Sequence, residues 1–311
     1  MTVSAVIIKS VGGLFTVRID EEYNGIREFD VRAKGAFRHD KITLLAGDRV
    51  DVDIDEHGEL FISRIHERKN SLIRPPLANL DVIFVVISCK KPAPVYETID
   101  KMIAIAEFNR IEPIIVITKA DLDPDFAASA YDIYTRSGFK AIVTSSELNE
   151  GCDSVLDCIS DLSCKRDMIC AFSGASGAGK STIINKIFPE LGLETGDLSR
   201  KIERGKNTTR TTELFPLDRL LGEGHFGYLA DTPGFSLLDF ERFDFFSLDE
   251  LKDTFREFSS MQGCKYTKCT HTKEEGCSII AAVNDGTIPR SRHESYVALY
   301  NILKNKPKWK K

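Results

Sequence analysis

Gly174-Ala175-Ser176-Gly177-Ala178-Gly179-Lys180-Ser181 decides the architecture of this chain. It satisfies G-x-x-x-x-G-K-[ST] at every fixed position, directly after the apolar run Met168–Ser173 and before the helix-like Thr182–Phe188. Glycines at these places let successive backbone N–H groups turn inward around phosphate oxygens, and the helix start adds its positive dipole end. In such a loop Lys180 reaches the β- and γ-phosphates and Ser181 ligates Mg²⁺, with Thr182 completing the set. A phosphate loop between strand and helix calls for a parallel sheet covered by helices on both faces. The flanking sequence supplies one. Val82–Ile87, Ile114–Thr118 and Ala141–Thr144 read as buried strands, and Tyr96–Asn109 reads as a helix with Ile99, Met102, Ile103 and Ala106 on one side.

Working outward, the strand Ile114–Ile117 runs into Thr118-Lys119-Ala120-Asp121. A carboxylate at this place accepts hydrogen bonds from the N1–H and exocyclic amine of guanine. Adenine lacks that donor pair and would leave the charge unpaired. Asp121 therefore selects GTP and GDP and disfavours an ATPase or kinase. Ser145-Ser146, after the next strand, is placed to contact the base through its backbone. Asp231-Thr-Pro-Gly234 follows the strand-like Phe226–Ala230, where a D-x-x-G belongs. Its Asp would hold Mg²⁺ through water, and the Gly234 N–H would sense the γ-phosphate. Between them, Gly205-Lys-Asn-Thr-Thr-Arg-Thr-Thr212 is a polar segment suited to close over nucleotide and give a threonine to Mg²⁺. Thr209, directly before Arg210, is the expected ligand and Thr208 the alternative. The order is diagnostic. In Ras-like GTPases the P-loop comes first and the base-reading motifs last, whereas here the base-reading motifs come first, as a cyclic rearrangement would place them.

Residues 1–68 carry a different pattern. Phe15, Val17 and Ile19 alternate with polar residues, as do Val50, Val52 and Ile54, and Gly12-Gly13, Asn24-Gly25, Gly47-Asp48 and His57-Gly58 supply turns. Short strands without a helix-length segment predict a small β-barrel, with an OB-fold one candidate. Glu67–Ser71 with Pro75-Pro76 reads as a linker. At the other end, Cys264, Cys269, His271 and Cys277 offer three thiolates and an imidazole within fourteen residues, a complete set for a closed, structural Zn²⁺ site. With the P-loop in a separate core, this region should be separable from nucleotide binding. Cys152, Cys158, Cys164 and Cys170 recur every six residues, which places neighbours on different helix faces, and they read as ordinary core or surface residues.

The 311 residues are 42% hydrophobic and 29% charged, a globular composition long enough for two or three domains. The formal charge is -5, yet residues 264–311 hold ten basic side chains against four acidic ones, a local +6. A polyanionic partner should meet that end first. The barrel, with ten basic and thirteen acidic side chains, would use a local face instead. No apolar run approaches the roughly 20 residues of a membrane helix, and Lys9 interrupts the N-terminal apolar stretch, so no membrane contact and a cytoplasmic location are expected.

These parts together resemble the circularly permuted, small-ribosomal-subunit-dependent GTPases of the RsgA/YjeQ family, over essentially the whole chain. The resemblance implies an N-terminal OB-fold at 1–68, a permuted α/β P-loop GTPase core at 69–237 and a C-terminal α-helical zinc-binding domain at 238–311. It implies a GTP hydrolase that binds the small ribosomal subunit and its rRNA late in assembly and hydrolyses GTP there, using Mg²⁺ and one structural Zn²⁺. A monomer is expected. Lys180, Thr209 and Asn207 are the expected catalytic set. The family's switch-one pattern, G-[RK]-H-T-T, has histidine where this chain has Asn207, and Phe235 after D-T-P-G is apolar. The competing reading is a GTP-sensing rRNA-binding module with little intrinsic hydrolysis.

Overall fold

The computed structural model describes residues 2–34, 37, 42–73, 75–193, 212–231, 247–261 and 263–305. The chain divides into two compact units. One comprises Met1–Val82, Cys158–Phe172 and Ser199–Phe235; the other comprises Ile83–Asp157, Ser173–Leu198 and Ser236–Lys311.

In the first unit β1 (Thr2–Val11), β2 (Leu14–Tyr23), β3 (Ile26–Ala33), β4 (Arg49–Ile54) and β5 (Leu60–Ile65) form a closed barrel. Its order is β1-β2-β3-β5-β4, and β4 pairs back onto β1. The period-two pattern explains the closure. Ala5, Ile7, Val17, Ile19, Val31, Val50, Val52 and Ile62 all point inward and are almost wholly buried. Each large aliphatic side chain so buried contributes about 1.5–3 kcal/mol of hydrophobic stabilisation.

The stretch that reads as a linker is instead ordered. β6 (Ser71–Ile73) and β7 (Pro76–Ala78) make a two-stranded hairpin. Asn79 fixes it to the barrel, accepting from the Lys69 N–H at 2.8 Å and donating to the Gly47 carbonyl at 2.9 Å. Gly47 permits the approach, because a Cβ there would lie 2.2 Å from the Ala78 carbonyl oxygen. Proline and polar residues at a junction signal a turn, and only long-range hydrogen bonds distinguish a tethered turn from a linker. The same unit extends β1 by antiparallel pairing to β12 (Glu213–Pro216), which pairs with β13 (Gly227–Asp231), which lies parallel to β11 (Met168–Gly174).

In the second unit the strand order is β10-β9-β8, from β8 (Val82–Ser88), β9 (Glu112–Thr118) and β10 (Lys140–Val143), with β9 and β10 parallel. Helix α1 (Tyr96–Phe108) buries Ile99, Met102, Ile103 and Ala106, the face expected from its spacing. Two helices that the apolar pattern alone did not single out come next, α2 (Pro124–Arg136) and α3 (Cys152–Ser163). The start of α2 is nonetheless written in the sequence: Asp123 caps it by accepting the Phe126 N–H, and Pro124 sits at its first position. Helix α4 (Lys180–Ile187) comes directly after the P-loop, and α5 (Leu217–Leu221) belongs to the first unit.

The C-terminal region folds as α6 (Arg256–Ser259), α7 (Ser278–Asn284) and α8 (Arg290–Asn305). It is not a free-standing core. Leu251, Phe255, Phe258, Ile279, Tyr296 and Leu299 pack in one cluster with Ala104 and Ile105 of α1. Arg292 of α8, fully buried, donates to Asp100 of α1 at 2.6 Å and to Glu257 of α6 at 2.7 Å, and it stacks on Phe255. The cysteine region therefore shares its core with α1. Sequence spacing cannot show that two distant segments fill one core. The eight cysteines form no disulfide; Cys152, Cys158 and Cys170 are buried and Cys164 is exposed. Among the described residues no helix is long and apolar enough to cross a membrane.

Candidate functional site

β11 delivers the glycine-rich loop. Gly174, at its end, has φ +147° and leaves no room for a Cβ, which would sit 2.4 Å from the Val86 carbonyl oxygen. The loop thus turns against β8 at a distance that only glycine allows. Ala175, Ser176 and Gly177 form an exposed rim, Ala178 is buried, and α4 begins at Lys180 after Gly179 in the left-handed region. Lys180 Nζ donates to the carbonyls of Gly174 at 2.8 Å and Ala175 at 2.9 Å, which holds it across the mouth of the loop. Burial pushes its pKa below the usual lysine value. Ser181 and Thr182 occupy the first turn of α4.

The end of β9 is laced to this loop. Thr118 Oγ1 donates to the Ala178 carbonyl at 2.6 Å. Lys119 Nζ donates to the Gly177 carbonyl at 2.8 Å and to that of Lys91. Lys119 adopts φ +57°, unusual for a side chain of its size and a mark of a constrained site. Burial lowers its pKa, and Asp121 acts in the opposite direction. Asp121 Oδ1 accepts the Ser145 hydroxyl at 2.6 Å, and that hydroxyl oxygen accepts the Leu148 N–H at 3.1 Å. Mutual backbone hydrogen bonds between Ser145 and Glu150, both 2.9 Å, fix the loop that carries the serine. The sequence assigned Ser145 a backbone contact. The side-chain bond to Asp121 emerges only when the ends of β9 and β10 are brought together. Ser146 turns away, with its hydroxyl 4.0 Å from the Cys152 thiol.

One unit thus brings together Thr118, Lys119, Asp121, Ser145 and the whole P-loop. The arrangement has the parts a guanine nucleotide calls for: a glycine-rich turn with a lysine across it, and a carboxylate held by a hydroxyl at the end of the strand laced to that turn. Asp231 ends β13 in the other unit, directly opposite Glu213 on β12. Burial raises its pKa, and the like charge of Glu213 adds to that. Hydroxyl and carboxylate oxygens of the Ser181 and Asp231 kind are the hard donors Mg²⁺ prefers. Asn207, Thr208, Thr209, Gly234 and Phe235 lie outside the described residues.

The cysteine-histidine set converges in the second unit. The ligand atoms of Cys264, Cys269, His271 and Cys277 all lie within 4.8 Å of one another. His271 Nδ1 is 3.7 Å from Cys264 Sγ and 3.4 Å from Cys277 Sγ, and the two sulfurs are 4.0 Å apart. A tetrahedron with Zn–S bonds of about 2.3 Å has edges of about 3.8 Å, so this donor set fits a closed zinc site. The support around it was not legible in the spacing. Ser278 Oγ lies 3.1 Å from Cys264 Sγ. Against the burial that would raise it, hydrogen bonds from Thr270 and Lys273 hold the Glu274 carboxyl at about 2. That carboxylate accepts the N–H groups of Thr270, Thr272 and Lys273, pinning the loop between His271 and Cys277. From α8, the Tyr296 hydroxyl donates to the Thr270 carbonyl at 2.9 Å, and His293 Nε2 lies 2.7 Å from that of His271. Such outer contacts set the orientation of ligands.

Comparison with known proteins agrees with this geometry. The family described as RsgA N-terminal domain matches residues 6–62, and that described as RsgA GTPase matches residues 65–241. The small ribosomal subunit biogenesis GTPase RsgA of Caldanaerobacter subterraneus subsp. tengcongensis is 38% identical over 304 residues, spanning 97% of this chain and 96% of that protein. Its namesake in Staphylococcus carnosus is 36% identical over 305 residues, spanning 96% and 97%. Among solved structures, YjeQ from Thermotoga maritima superposes with a TM-score of 0.80 at 29% identity, covering 99% of this chain and all of that one. YloQ, a circularly permuted GTPase, superposes at 0.77 with 32% identity, covering 99% and 98%. A closed barrel, a permuted nucleotide-binding core and a C-terminal metal-ligand cluster, matched end to end by these relatives, make this chain a member of the RsgA family of GTP hydrolases.

Proposed function

We propose that this protein binds the small ribosomal subunit late in its assembly and hydrolyses GTP to GDP and phosphate on it. The relatives' names carry the subunit role, and the observation that carries guanine nucleotide is the bond from Ser145 to Asp121, beside a lysine that reaches the P-loop. In this reading Thr118, Lys119 and Asp121 hold the base, with Ser145 and Ser146 contributing through backbone and the Ser145 hydroxyl orienting Asp121. Gly174–Thr182 would cradle the phosphates, with Lys180 against the developing charge; Ser181 and Thr209 would hold Mg²⁺, and Asp231 would hold it through water. Bound Mg²⁺ neutralises charge on the β- and γ-phosphates. Gly234 senses the γ-phosphate and Asn207 orients water. The water oxygen bonds to the γ-phosphorus as the bond to the β-phosphate bridging oxygen breaks, giving GDP and inorganic phosphate. Cys264, Cys269, His271 and Cys277 hold one structural Zn²⁺.

The working division is 1–68, 69–237 and 238–311, in a cytoplasmic monomer whose partner surface is rRNA. Nothing among the described residues favours the low-turnover alternative. Single-turnover GTP hydrolysis with and without purified small subunits tests the proposal. Acceleration by the subunit is the expected result, and equal slow rates in both arms would refute it.

A further inference from the structure

A run of charges joins the barrel to the start of D-x-x-G. On β1, Ile7 pairs with Val17 of β2 and Lys9 pairs with Thr16, so Ile8 is an extra residue, a β-bulge. A bulge shifts the alternation of side chains by one and re-aims the rest of the strand. Without it Lys9 would share the inward face of Ala5 and Ile7. With it, Lys9 lies on the outer face with Thr16. There it stands opposite Glu213 of β12, and Glu213 stands opposite Asp231 of β13. Directly paired residues share one face of a sheet, with Cβ atoms about 4.5–5.5 Å apart. Lys9 Nζ is 2.8 Å from Glu213 Oε2, and both side chains are roughly two-fifths exposed. A pair so exposed adds little to stability and exchanges readily. One ammonium against two carboxylates leaves a net negative charge on this face, which suits a nearby cation.

We propose that Lys9 and Glu213 are positioning residues that set, through Asp231, how tightly nucleotide-bound Mg²⁺ is held. This rests on the assignment of Asp231 to Mg²⁺ made above. While Lys9 holds Glu213, the second carboxylate is compensated and Asp231 acts alone. When Lys9 is withdrawn, the charge of Glu213 adds to that of Asp231 and Mg²⁺ is held more tightly. A phosphate that takes Lys9 from Glu213 has the same sign of effect, so a polyanion on the barrel is felt at the metal.

The test uses the full chain and measures the Mg²⁺ concentration that half-saturates the tightening of a fluorescent GDP analogue at low salt. A unit charge one or two paired strands from the carboxylate assigned to a divalent ion, in a largely aqueous setting, should move that midpoint about threefold. Lys9→Ala should lower it about threefold, Glu213→Gln should raise it about threefold, and the double variant should return to within about twofold of wild type. Lys9→Arg should leave it unchanged. All these shifts should shrink at high salt. Shifts in one direction for both single variants, or none in either, would overturn the inference. Asp231→Asn separates the two layers. If it leaves the midpoint unmoved, the Mg²⁺ assignment of Asp231 fails; if it moves the midpoint while the Lys9 and Glu213 variants do not, only the charge link fails. Affinity in excess chelator should be equal in the wild type and the Lys9 and Glu213 variants, and a change there would mark a structural effect and sink the proposal.

Discussion

Asp121 carries the sharpest residue-level consequence. Its Oδ1 is occupied by the Ser145 hydroxyl, so the carboxylate is oriented before any base arrives. Asp121→Asn should lower GTP affinity by at least about thirtyfold, the usual cost of truncating a charged hydrogen-bonded pair. It should favour xanthine nucleotides, whose C2 oxygen replaces the amine donor. Competition binding with GTP, XTP and ATP checks this, and equal wild-type affinity for ATP and GTP would remove the assignment. Ser145→Ala loses one hydrogen bond and should weaken GDP about threefold to tenfold, read by the same assay. The motif residues stand out in the chain because phosphate and base chemistry dictate their spacing. Ser145's side-chain role does not, since residues 121 and 145 meet only across two strand ends.

At the scale of elements, α8 is the informative case. It inserts Arg292 between Asp100 and Glu257 while Tyr296 holds the metal-site loop. Arg292→Met would leave two buried carboxylates without their counter-charge and should cost about 3–5 kcal/mol, read by urea unfolding. Arg292→Lys keeps the charge without the fork and should fall between. The metal site should obey the same logic. One zinc per chain is expected by elemental analysis, and Cys269→Ser should abolish it. Because the cluster packs in one core with Ala104 and Ile105, zinc loss should also reduce hydrogen-exchange protection in α1. Exchange confined to residues after 247 would contradict that. Elements with strong periodicity, such as α1 and the barrel strands, were readable from the chain. Helices α2 and α3, of similar length, were not singled out, because they bury small residues such as Ala127, Ala130 and Cys158 that stand out less than the large apolar side chains of α1.

For the whole molecule, the question is how nucleotide state reaches the subunit. Residues 200–210 carry Arg200, Lys201, Arg204, Lys206 and Arg210 against Glu203 alone. If GTP orders this stretch, those charges meet rRNA phosphate in one state and not the other, while the +6 segment from residue 264 binds in both. Small-subunit binding should then be about tenfold tighter with a non-hydrolysable GTP analogue than with GDP, a coupling of about 1.4 kcal/mol. Both forms should weaken with salt as counterions are released. Lys206→Ala with Arg210→Ala should shrink the difference and spare GTP affinity. Co-sedimentation at matched salt decides it, and equal retention of the two forms would end the idea.

The linear chain by itself determined which motifs are present and in what order: a glycine-rich P-loop motif, Thr118–Asp121 placed ahead of it, an alternating barrel and a Cys/His set that could hold a metal. Each is a local pattern, fixed by backbone geometry or ligand number over a few residues, so it survives without knowledge of the fold. Only the tertiary structure decided what those patterns touch. It tied Asn79 to Lys69 and Gly47 and set Lys9 opposite Glu213 through a one-residue bulge. It also merged the cysteine region with α1 around a buried arginine. These are contacts between residues 10 to 204 positions apart. They are chosen by burial, charge pairing and strand register in three dimensions, which leave no periodic trace along the sequence.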